Sequence, residues 1–66
     1  MPNHNNLKKI RITDLLSKAE LARKAGVSVL TISRIEDGMD CRMDTKRKVI
    51  QALGLKISEK ERVFPE

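Results

Sequence analysis

Residues Ser17 to Gly38 read SKAELARKAGVSVLTISRIEDG, and this stretch decides the fold. It opens on Ser17-Lys18-Ala19-Glu20, a serine with a glutamate three residues on. In that pattern the hydroxyl accepts from the glutamate amide while the carboxylate reaches back to the serine amide. Leu16 and Leu21 stand where apolar side chains pack together across such a cap. A helix from Lys18 to about Ala25 follows, with Leu21, Ala22 and Ala25 inward, and Gly26 ends it by supplying a positive φ without steric cost. Ser28 then caps a second helix, from Val29 to about Asp37, with Val27 and Ile32 packing across the cap and Gly38 closing the end. Ile32 and Ile35 share its inward face. At about 100° per residue, Leu30 and Arg34 point away from that face, with Ser33 beside them and Val29 and Thr31 on the flanks. Two short helices joined by a tight turn, the second with an outward face, are therefore predicted.

Working outward, Asn6 is read as the cap of a short first helix whose seam is Leu7, Ile10, Arg11 and Asp14, two of them charged. Met39 to Arg42 form a loop, and a fourth helix begins near Met43 or Asp44, carries Val49, Ile50 and Leu53, and stops at Gly54. Lys46 falls on the apolar line of that helix. Either the helix starts later, capped by Asp44 or Thr45, or the lysine lays its stem along the core and lifts its ammonium out. Ser58-Glu59-Lys60-Glu61 has the spacing of another capping box, opening a turn or two that carry Val63 and Phe64 before Pro65. Residues 1–5 are polar and are read as a disordered N-terminal tail, with His4 a solvated member of it; residues 6–66 form a single domain. No strand-type alternation occurs, so the expected class is all-α, a bundle of four to five short helices.

The chain has 66 residues, enough for one small domain that buries only about 60% of its unfolded surface. Apolar residues make up 39% and aromatics 2%, with Phe64 alone, so the core must be aliphatic and no large cofactor pocket is expected. One cysteine and one histidine allow neither an intrachain disulfide nor a structural zinc site, and Cys41 is expected reduced in a loop. No nucleophile, base and orienting acid can be assembled from this inventory, so neither an enzyme nor a metal or other cofactor is expected. Apolar residues never run longer than two, which excludes a spanning helix and a secretory core and points to a cytoplasmic protein. Short, capped helices also oppose a membrane-surface role. Fourteen Lys and Arg against nine Asp and Glu leave a net charge of +5, which suits a polyanionic partner.

Ala22, Gly26, Val27, Ile32 and Ile35 set out a small residue, a glycine four later, and aliphatics six and nine beyond the glycine. This pattern resembles the helix-turn-helix of the Cro and phage-repressor (Xre) family, and the resemblance spans Leu7 to about Leu55. Its spacing has a physical reason. Two helices crossing steeply touch only where the crossing residue is small, as Ala22 is, and the short turn needs a residue tolerant of left-handed backbone, as Gly26 is.

The resemblance implies a lambda-repressor-like domain with its helix-turn-helix at about 18–37 and the second of those helices in the major groove of double-stranded DNA. It places Val29, Leu30, Ser33 and Arg34 against base edges, and Lys18, Ser28, Thr31, Arg42 and Lys46 against phosphates. It pairs Arg11 with Glu36 in a structural salt bridge. The implied function is a transcriptional regulator, a repressor binding as a homodimer to half-sites about 34 to 36 Å apart. An alternative is an antitoxin that grips a toxin or other protein and represses its own operon. Leu55, Ile57, Val63 and Phe64 either form the dimer surface or close the core of a monomer.

Overall fold

The structure, a computed structural model, describes residues 5–65, and helices are its only regular elements among those residues. They are α1 (Leu7–Thr13), α2 (Lys18–Ala25), α3 (Val29–Glu36), α4 (Met43–Ala52) and, after a 3₁₀ turn at Ile57–Glu59, α5 (Lys60–Val63). The class is all-α, as the pattern predicts. The tail residues 1–4, His4 included, lie outside the described residues.

The caps explain where α2 and α3 begin. Ser17 Oγ accepts the Glu20 amide at 3.0 Å and the Glu20 carboxylate accepts the Ser17 amide at 3.1 Å, so two of the amides that a helix start leaves unpaired are satisfied reciprocally. Gly26 ends α2 at φ 71°, and Ser28 Oγ starts α3 by accepting the Thr31 amide at 3.1 Å. The central helix α2 packs against both α3 and α4. Leu7, Leu21, Ile32, Ile35, Val49 and Val63 are fully buried, giving an aliphatic core to which every helix contributes. Ala22, at the position where the pattern calls for a small residue, is also buried. A methyl group is all that fits where two helix backbones approach closely.

Three local expectations are corrected. Asn6 makes no side-chain cap; its amide donates to the Val63 carbonyl at 2.8 Å and its Nδ2 to the Arg62 carbonyl at 3.0 Å. The cap comes instead from Asn5, whose Oδ1 accepts the Leu7 amide at 3.1 Å while its Nδ2 donates to the Ile35 carbonyl at 2.7 Å. Asn5 thus belongs with the domain. The second capping box is shifted, because Lys56, in extended backbone, precedes the 3₁₀ turn: Glu59 accepts the Lys56 amide at 3.0 Å, and Ser58 is exposed within the turn.

Of the two readings offered for Lys46, α4 starting at Met43 selects the second: Lys46 is half-buried, its ammonium 5.5 Å from the centroid of the Phe64 ring. Val63 is fully buried and Leu55 and Phe64 pack half-buried against the core, so these three close the domain, while Ile57 stays 40% exposed. The turn between α1 and α2 holds a surprise: Leu15 has φ 58° and is 89% exposed. Its amide donates to the Ile12 carbonyl and that of Leu16 to Arg11, the two bonds that end a helix on a left-handed residue, here without the usual glycine.

Candidate nucleic-acid interface

The outward side of α3 is built by what its inward side must do. Burial of Ile32 and Ile35 fixes the rotation of the helix about its axis, and the 3.6-residue period then turns Val29, Leu30 and Arg34 into solvent. Leu30 is 58% exposed and Val29 44%, so two adjacent aliphatics stand on this outward side. No described residue pairs with the Arg34 guanidinium, which leaves its planar fork of donors available. Eight residues give α3 a length of about 12 Å. Its diameter with side chains, about 10 to 12 Å, is what the roughly 12 Å wide major groove of B-DNA admits.

The polar residues of this face are held by one another. Ser28 and Thr31 share a hydroxyl hydrogen bond at 2.9 Å beside the cap, so the start of α3 is fixed by side chains as well as backbone. Lys18, the first residue of α2, donates from Nζ to Ser33 Oγ at 3.3 Å, bridging the two helices of the motif. Nothing in the local pattern announces that bridge, since its ends lie 15 residues apart and neither is an apolar or capping signal. The remaining candidates sit at the start of α4. Arg42 occupies its cap position and is exposed; Lys46, one turn on, leans over Phe64.

Behind the face, Arg11 Nε donates to Glu36 Oε2 at 2.7 Å and Nη2 to Oε1 at 3.3 Å, a two-point contact between α1 and the last residue of α3. The third nitrogen, Nη1, donates to the Leu16 carbonyl at 2.8 Å. With all three guanidinium nitrogens engaged, the charge can be buried without orphaned donors. The pair therefore orients α3 from its C-terminal end, as the caps do from its N-terminal end. Cys41, in the loop before α4, is half-buried, and burial pushes its thiol pKa up, which keeps it in the unreactive protonated form.

Among the described residues no cluster of histidine, cysteine or carboxylate groups could hold a metal ion, and no helix is long and apolar enough to cross a membrane. The face is a projecting helix with one free guanidinium, two aliphatics and a fringe of hydroxyls and ammonium groups. Chemically it can form hydrogen bonds with base edges, pack on methyl groups and neutralise phosphates. A comparison with curated proteins finds no match, whereas a family model of the helix-turn-helix matches residues 7–60. With well over half of its length covered, the chain belongs to the helix-turn-helix family of DNA-binding regulators, of the Cro and phage-repressor (Xre) type.

Proposed function

We propose that the chain is a sequence-specific transcriptional repressor that inserts α3 into the major groove and binds its operator as a homodimer. The observation that carries this reading is the opposition on α3 of buried Ile32 and Ile35 to exposed Leu30 and unpaired Arg34. Arg34 would take guanine O6 and N7 together, a contact worth about 1 to 3 kcal/mol of discrimination. Val29 and Leu30 meet thymine methyl groups, and Ser33 adds an adaptable hydroxyl. Lys18, Ser28, Thr31, Arg42 and Lys46 contact phosphates, which fix register and supply the salt-dependent part of the affinity. One such module makes few base contacts, and two-fold pairing on half-sites about 34 to 36 Å apart doubles them.

The test is selection from a random duplex library at two salt concentrations, with the parent chain and with Arg34→Ala. The parent is expected to enrich a two-fold symmetric site. The variant is expected to bind duplex DNA with nearly the same general affinity and to lose the preference at one base pair per half-site. Enrichment of the same site by both chains would remove Arg34 from the reading edge.

A further inference from the structure

Away from the outward face of α3, two matching stripes of side chains line one groove. On α4, Met43, Lys46, Arg47 and Ile50 stand at i, i+3, i+4 and i+7, hence on one side of the helix. Opposite them, Ile57, Lys60, Glu61 and Phe64 repeat the same spacing along the 3₁₀ turn and α5. In each stripe the apolar residues are at the ends and the charges in the middle. Buried Ile50 and half-buried Phe64 form the floor, while Met43 and Ile57, 67% and 40% exposed, stand at the rims. Three of the four charged side chains are cations. Glu61 is the only anion among them, and Arg47 makes a solvent-exposed ion pair with Asp44 at 3.6 Å, of the kind that holds little energy and leaves the cation open to a competing carboxylate.

We propose that this groove docks an acidic amphipathic helix from a partner protein. A helix laid between the stripes would set apolar side chains, spaced three and four residues apart, onto Ile50 and Phe64 and between Met43 and Ile57. Its flanking Asp and Glu side chains would then lie against Lys46, Arg47 and Lys60. Charge decides between this occupant and a second copy of the chain. A two-fold contact sets groove against groove, so three cations and one anion would face the same net-positive set in a molecule that already carries +5. The inference does not depend on the DNA reading of α3, but it bears on it. Lys46 belongs both to this groove and to the proposed phosphate contacts, so an occupied groove withdraws one cation from DNA.

The experiment titrates the full chain, labelled with ¹⁵N, with three synthetic helical peptides: one with leucines at i, i+3 and i+7 flanked by glutamates, one with the glutamates replaced by lysine, and one with the leucines replaced by serine. The glutamate-leucine peptide is expected to shift the amides of Met43 to Ile50 and Ile57 to Phe64 and to weaken as salt is raised, with the other two binding at least about tenfold more weakly. Ile57→Asp and, independently, the exposed Lys60→Glu should each reduce that binding by about tenfold. Shifts confined to α3, equal binding by the serine or lysine peptide, or groove shifts that grow with the concentration of the chain alone would each overturn the proposal.

Discussion

Arg11 and Glu36, 25 residues apart in sequence, meet at 2.7 Å with side chains only 10% and 4% exposed. The carboxylate is thus the counter-charge of a guanidinium that water barely reaches. Replacing Glu36 by Ala leaves that cation unmatched, at a cost of about 3 to 5 kcal/mol. Since a domain of this size holds only about 3 to 5 kcal/mol of stability in total, Glu36→Ala is expected to be largely unfolded at room temperature by far-ultraviolet circular dichroism. The double change Arg11→Met with Glu36→Leu, which removes both charges and keeps volume, should recover much of the loss. A double variant no more stable than Glu36→Ala would show that the helices need the contact itself and not merely charge balance.

Leu15 and Gly26 share left-handed backbone, at φ 58° and 71°, but only Gly26 adopts it cheaply. An L side chain there costs about 1 to 2 kcal/mol, and Leu15 recovers little by burial because it is 89% exposed. Leu15→Gly, after subtraction of the extra freedom glycine has when unfolded, is expected to stabilise the fold by up to about 1 kcal/mol. Gly26→Ala should destabilise it by about 1 to 2 kcal/mol through backbone strain alone, since no atom lies within 4 Å of the added Cβ. Urea unfolding of both variants checks the signs; a less stable Leu15→Gly would mean that the leucine holds something in place.

Much of this was legible in advance, for identifiable reasons. Ser17 with Glu20 and Ser28 before Val29 act within one helical turn, so the residues that make the bonds are adjacent in the string. The rotation of α3 follows from Ile32 and Ile35 alone. What escaped depended on distant partners or on short elements. Asn5 caps α1 only because the Ile35 carbonyl, 30 residues away, fixes its amide end. Glu59 reaches Lys56 rather than Ser58 reaching Glu61 because a three-residue 3₁₀ turn carries too little periodicity to set its own register. The positive φ of Leu15 has no local signal at all.

Acid should weaken the fold through its caps. The Glu20 carboxyl is held below its ordinary value of 4.5, first by the Ser17 amide and then by the Ser17 hydroxyl; that of Glu59 is lowered in the same way by the Lys56 amide and then by Arg62. Both carboxyls release their protons more readily in the folded chain. Their stabilisation is therefore complete above 4.5 and is lost as pH falls through the lowered folded values. In thermal melts the gap between the parent and Glu20→Gln is expected to be widest near neutrality and to close on acidification. A gap that stays constant would assign the loss to packing.

Lys18 is expected to serve phosphate and Ser33 at once, its ammonium having three donors and spending one on the hydroxyl at 3.3 Å. Lys18→Ala should weaken binding to every duplex and flatten the dependence of log affinity on log salt by about one unit. Ser33→Ala should leave that slope alone and alter base preference. Affinities measured over a salt series separate the two, and a slope unmoved by Lys18→Ala would take the residue off the phosphate contacts.

The backbone bond from Asn6 to Val63 joins the first helix to the last, and Val63 fills a place among Leu7 and Val49 in the middle of the molecule. An engineer who trimmed the gene after Lys60 would keep every side chain proposed to meet DNA and yet leave a hollow behind them. The smallest portable version of this domain must therefore retain its closing turn, even though no base contact is proposed for that turn.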